Sequence, residues 1–250
     1  MSTNPAPCHI GFLIFPEMTQ IDFTEPYEVF ARLPDTSVHV VACTADPVRS
    51  DRGLVIVPSV TCEECPPLDV LVVPGGPGTR HVVEDEATLG FLRRQAEQAT
   101  YVTSVCTGAL VLGAAGLLLG YRATTHWLSV PLLDLYGAIP VRERVVVDRN
   151  RVTAGGCTAG IDFAFRLAAM LRGETIAQQI QLQLEYNPAP PFNSGSPTTA
   201  PREIVDTLRR AGEPLQQQRW QAANQWRSDW LAKHDPAMKG SKTAAVAASG

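Results

Sequence analysis

Basic charge is in short supply in this chain of 250 residues: 21 Lys and Arg stand against 25 Asp and Glu, a formal net charge of -4. Nucleic acid and anionic membrane surfaces are therefore not expected as partners, since both recruit through clustered cations. No basic segment precedes an apolar run near the N-terminus, and Pro5, Pro7 and Pro16 interrupt the first stretch, so no signal peptide is expected. No internal repeat is evident, which argues against an array of small stacked units. Histidines number only five, and no second close Cys pair accompanies Cys62 and Cys65. That spacing is half of a metal site at most and reads as a loop with two incidental thiols. Charge is missing altogether from residues 98 to 121, yet four glycines and several Ser and Thr break this stretch into strand, turn and helix, so it is the buried centre of a domain and not a membrane span.

What is present is apolar residue in quantity, 45% of the chain, enough for one substantial α/β core. The six cysteines (8, 43, 62, 65, 106 and 157) are scattered through a chain that needs no staples, and reduced thiols and a cytoplasmic setting are expected. Residues 8 to 15 form an apolar run between two prolines, as a central parallel strand would. Asp22, with Glu25 three residues later, resembles a capping box opening a helix that ends before Pro34. Strands follow at residues 37 to 43 and 69 to 73, with a hairpin at 48 to 57 between them. Helical spacing covers 86 to 99, 108 to 118, 158 to 171 and 175 to 184, and a second hairpin turns at Arg149 and Asn150. This alternation predicts an α/β fold with a mostly parallel central sheet flanked by helices. Residues 187 to 201 carry five prolines and read as an irregular arm that packs on a neighbour or a dimer mate; 202 to about 234 is polar and helical, with Trp220, Trp226 and Trp230 as an anchoring face.

Chemistry concentrates at residues 101 to 110. Cys106 falls where a strand turns into a helix, among free backbone N–H groups at the positive end of a helix dipole, a setting that favours thiolate and resembles a nucleophile elbow. Cys157, in a Gly-Gly-Cys-Thr-Ala-Gly run, also follows a strand and opens a helix, and periodicity does not separate the two. Each is equally a small buried hydrophobe. The run from Pro74 to Gly78 is a loop whose glycines let backbone N–H groups form an oxyanion pocket. His126 is a base for the thiolate or a satisfied core histidine beside Trp127. Asp22 is a helix cap or, near a thiolate, an acid that must be protonated to be productive.

Together, the elbow Cys106, the Pro74-Gly75-Gly76 loop, Asp22, the Ala-Thr-Thr-His-Trp segment at 123 to 127 and the Val-Thr-Ala-Gly-Gly segment at 152 to 156 resemble the DJ-1/PfpI superfamily, over about residues 8 to 186. Within it the stretches 18 to 23, 106 to 108 and 185 to 193 are most similar to isocyanide hydratases. The resemblance implies a flavodoxin-like sandwich with a cysteine elbow, a catalytic domain over 1–200 and a homodimer with sites near its interface; beyond it, the polar helical stretch reads as an extension over 201–235 and the Ala, Lys, Ser and Gly residues as a disordered tail over 236–250. The resemblance also implies Cys106 as the nucleophile rather than Cys157, with Asp22 and Thr107 as further catalytic residues and Gly75, Gly76, Thr107 and His126 binding substrate or oxyanion. The implied reaction is hydration of a small-molecule isocyanide to an N-substituted formamide through a thioimidate, needing neither metal nor organic cofactor. Thr107 stands where protease-like members carry His, which argues against peptidase activity, and Glu25 stands where Gly is more usual. Other readings are glyoxalase-like or amidase-like chemistry at the same thiol, a cysteine redox sensor, and the ligand-binding half of an AraC-type regulator. For the last, the residues after Pro201 are too few and too polar to form a DNA-binding module.

Overall fold

The computed structural model describes residues 7–234; the tail expected over 236–250 lies outside them. In chain order the elements are β1 (Cys8–Leu13), α1 (Ile21–Phe30), β2 (Thr36–Ala42), β3 (Val48–Arg49), β4 (Val55–Ile56), β5 (Val60–Thr61) and β6 (Val70–Val73). After these come α2 (Thr79–Val82), α3 (Glu86–Ala96), β7 (Tyr101–Val105), α4 (Gly108–Ala114), β8 (Arg122–Ala123), a 3-10 turn (Val130–Tyr136) and β9 (Ile139–Pro140). The chain then runs through β10 (Val145–Asp148), β11 (Arg151–Ala154), α5 (Ala159–Arg172), α6 (Glu174–Gln183) and α7 (Arg202–His234).

Seven strands form one sheet in the order β10-β11-β7-β6-β1-β2-β5. Every pairing in it is parallel except β10 with β11. The order explains where a site must form. From β1 the chain builds outward through β2 and β5, then returns to the other flank of β1 with β6, so the crossovers leave β1 and β6 in opposite directions and open a crevice above their carboxyl ends. The middle of the sheet is covered on both faces, which is why β6 is four consecutive aliphatic residues, all buried, with no alternation. On one face α1 and α5 pack together, with Phe30 edge-on to Phe163 at 5.9 Å between ring centroids.

The polar helix α7 is held by one narrow stripe. Trp226 donates its Nε1–H to the Ala114 carbonyl at 2.8 Å, stacks on Trp230 and lies beside Tyr136. Trp220, expected to share this face, is instead 41% exposed, and the buried positions nearest it on the helix are Arg219 and Ala223. The capping box expected at Asp22 is also absent: Gln20 precedes the helix without a side-chain cap, and Asp22 is a buried residue inside the first turn of α1. Among the described residues no helix is long and apolar enough to cross a membrane.

Candidate active site

β7 delivers Cys106 into the crevice with φ of 54°, a left-handed conformation that a non-glycine residue holds only under constraint. The constraints are visible. The Cys106 N–H donates to the carbonyls of Ala154 and Gly155, and its own carbonyl accepts from Thr125 Oγ1 at 2.7 Å. Gly108 then lets α4 press onto β6 so closely that a Cβ there would stand 2.1 Å from the Val73 carbonyl oxygen. A sharp strand-to-helix turn with a reactive side chain at its apex is the elbow geometry expected from sequence.

Asp22 reaches the same point from α1. One carboxyl oxygen, Oδ2, accepts the Gly75 N–H at 2.9 Å; the other, Oδ1, is buried with no hydrogen-bond partner. An Asp22 oxygen and the sulfurs of Cys106 and Cys157 lie within 4.8 Å of one another. The rival cysteine is therefore beside Cys106. Such a trio could hold a thiophilic metal only by giving up its protons, since ligating thiols are deprotonated.

The protonation of the trio differs from the expected free thiolate at Cys106. Burial, reinforced by charge on Cys157, raises the Asp22 carboxyl well above its ordinary value and so favours its protonated form. The hydrogen bond with Cys157, burial and Asp22 together hold the Cys106 thiol well up, outweighing the Thr107 N–H that favours its anion. Cys157 receives that hydrogen bond and is lowered to about 6. The shared hydrogen bond thus favours the anion on Cys157, the less buried of the two sulfurs.

The loop donors face inward. Gly75 N–H is taken by Asp22, and Gly76 N–H donates to Thr107 Oγ1 at 3.0 Å. A Cβ at Gly75 would meet Thr107 N at 2.4 Å, and one at Gly76, whose φ is 130°, would meet Thr19 N at 2.4 Å. These glycines let the loop nest between α1 and the elbow, and the N–H groups that sequence offers to an oxyanion are here engaged by the Asp22 carboxyl and the Thr107 hydroxyl. His126 lines the cavity too, but burial and the nearby Arg219 lower it to about 4, so it is neutral. Glu25, half-buried, approaches Gly160 at the start of α5 and is raised to about 7, first by burial and then by Asp22.

Residues 9–170 match the DJ-1/PfpI family. The chain belongs to that family. Among DJ-1/PfpI relatives, it is 60% identical over 205 residues to the isonitrile hydratase of Pseudomonas putida, covering 82% of this chain and 90% of that one. The transcriptional regulator GbdR of Pseudomonas aeruginosa is 30% identical over 191 residues, but there the match covers 73% of this chain and only 52% of the regulator. In structure the chain is similar to a ThiJ/PfpI family protein from Pseudomonas syringae, with a TM-score of 0.86, 43% identity, and coverage of 88% of this chain and 92% of that one.

Four residues of the cavity wall, Gly212, Leu215, Gln216 and Arg219, lie beyond the DJ-1/PfpI match and were missed in the sequence. Arg219, on α7, is 8% exposed and lines a cavity of about 230 Å³ with Cys106, Thr107, His126 and Cys157. Its Nη2 donates to the Gly76 carbonyl at 3.1 Å and its Nη1 lies 3.4 Å from Ser129 Oγ, while Nε is buried without a partner. Among the described residues no carboxylate pairs with it at 4.0 Å or less. The available signal was a charged residue one turn from Ala223 and two from Trp226, on the only face of α7 that packs inward. Cys62 and Cys65, by contrast, are not at this site: Cys62 lies 3.5 Å from Cys43, and Cys65 turns to the Pro66 carbonyl.

Proposed function

We propose that the chain is an isonitrile hydratase, converting R–N≡C and water to the formamide R–NH–CHO. The observation that carries this is its 60% identity, over 82% of its length, to an enzyme of that name, combined with a buried thiol and a buried carboxyl, whose protonated form burial favours, at one point of the crevice.

The terminal carbon of an isocyanide accepts a nucleophile and a proton at the same atom, so the site must offer both within one contact distance. As Cys106 attacks, its proton passes along the hydrogen bond to Cys157, and Asp22 delivers its own proton to the carbon. The products are a C–S bond, a C–H bond, a thioimidate on Cys106 and an Asp22 carboxylate. Water held by that carboxylate adds to the thioimidate carbon. One water proton restores Asp22, the other goes to nitrogen, and the tetrahedral species expels the Cys106 sulfur as thiolate, which recovers its proton from Cys157. Arg219, a buried cation near Cys106 with a free N–H, favours the anionic sulfur in both steps. Thr107 acts as a positioning residue through its bond from Gly76 N–H. No histidine hydrogen-bonds the Cys106 sulfur among the described residues, in keeping with chemistry that needs an acid rather than a Cys-His dyad.

The same reading has the enzyme working as a cytoplasmic homodimer; its six free thiols suit a reducing compartment. Formamide production from cyclohexyl isocyanide by purified protein tests the activity. Wild type should turn over and Cys106→Ala should be folded and inactive. Absence of turnover by a folded wild type on alkyl and aryl isocyanides overturns the proposal.

A further inference from the structure

Beyond the active site, the sheet edge holds a second pair of sulfurs. β2 and β5 run parallel with Val41 opposite Val60 and Ala42 opposite Thr61. The next rung is Cys43 opposite Cys62, where the Cys62 N–H donates to the Ala42 carbonyl at 2.8 Å. Neighbouring strands lie about 4.8 Å apart, within the roughly 4.4–6.8 Å between Cα atoms that a disulfide accepts. The two sulfurs are 3.5 Å apart, Cys43 is exposed and Cys62 is half-buried. The segment between the two cysteines contains the β3–β4 hairpin, and that hairpin reaches the cavity. Asp51 N–H donates to the Met18 carbonyl at 3.0 Å, Thr19 Oγ1 lies 3.4 Å from Asp51 Oδ2, and both Thr19 and Asp51 line the cavity wall.

We infer that Cys43 and Cys62 are a thiol pair that closes reversibly to a cross-strand disulfide with a low-molecular-weight disulfide as oxidant, fixing both feet of the loop that carries Asp51 to the cavity. The inference stands on strand register and sulfur distance, and is independent of the substrate processed at Cys106. Cys43 attacks one sulfur of the reagent, whose S–S bond breaks and releases one thiolate. Cys62 then attacks the Cys43 sulfur of the mixed disulfide and expels the second thiolate, which takes the Cys62 proton. The protein loses two electrons and the reagent leaves as two thiols. The local chemistry supports this order. The Cys62 hydrogen bond, with help from Thr88, lowers Cys43 to about 6, whereas the same bond raises Cys62. Once Cys43 is in the mixed disulfide its charge is gone, and with it the main cause that holds the Cys62 proton.

The full-length protein is incubated with oxidised glutathione, alkylated and mapped by non-reducing peptide mass spectrometry, with amide exchange followed in parallel. The expected result is a peptide joining Cys43 to Cys62, loss of two of the six titratable thiols, slower exchange in the hairpin, and full reversal by dithiothreitol. The link should persist in Cys65→Ser and be absent from Cys43→Ser. A link between Cys62 and Cys65, glutathione retained on Cys43, or an unmodified pair would each overturn the inference, and the wild-type map decides among them without reliance on any variant's folding.

Discussion

Replacing Asp22 by Asn separates the carboxyl's chemical role from its structural one. Asn has the same shape, and its amide oxygen can keep the 2.9 Å bond from Gly75 N–H. Burial already favours the neutral form of the wild-type carboxyl, and Asn introduces no charge in its place. The sign of the stability change follows from the raised acidity constant. A buried acid whose folded pKa exceeds its unfolded one favours the fold while protonated and loses that contribution as pH rises toward the folded value. Asn has no such loss, so the variant should melt at the same temperature as wild type or higher at neutral pH. Only the transferable proton is removed. General acid–base catalysis is worth about 10²- to 10⁴-fold, equivalent to roughly 3–5 kcal/mol of barrier, and formamide release should fall by that factor. The assay is product formation from cyclohexyl isocyanide under saturating substrate, with calorimetry on the same samples. An Asp22→Asn enzyme within tenfold of wild type would refute the acid role, and a strongly destabilised one would refute the claim that burial favours the neutral carboxyl.

Glu25→Gln should raise the melting temperature at about pH 8 and change it little at about pH 4, because a carboxyl raised to about 7 from an ordinary 4.5 weakens the fold progressively as it ionises through that window; an equal gain at both pH values would contradict this. Cys157→Ala should move the acid limb of kcat/KM upward from near 6, since Cys106 must then ionise against burial and Asp22 without its acceptor; an unmoved limb would remove Cys157 from the proton path. Arg219→Met keeps the buried stem but removes the donors to Gly76 and Ser129. A loss of about 1.5–3 kcal/mol is typical for hydrogen bonds to charged groups, and denaturant unfolding together with turnover should show both stability and rate reduced.

The parts of this site that were legible share one property: each follows a recognisable strand. Cys106, Gly75 and Asp22 all lie just past apolar runs, and the chain's own punctuation with proline and glycine places them above the carboxyl edge of a parallel sheet. Direction was harder to read than place. The Asp22-x-x-Glu25 spacing fits a cap, but the Gly75 N–H outcompetes the helix's own end for the carboxyl, a contact made across 53 residues of chain. The nearness of Cys157 to Cys106 and the pairing of Cys43 with Cys62 depend on which strands are neighbours, and local periodicity carries no register between strands. Arg219 was hidden because α7 is polar nearly all round, so its single inward stripe is a weak pattern.

That long reach of Arg219 has a consequence for how the protein is made. The residue follows Thr107 by 112 positions, which at ordinary translation speeds of about 5–20 residues per second is an interval of roughly 6–22 s. During that time a nascent chain already carries its elbow cysteine, its acid and its glycine loop but not the guanidinium that completes the cavity wall. The cavity wall is therefore finished only when α7 has left the ribosome, and a chain cut short before α7 would keep the thiol without the cation beside it.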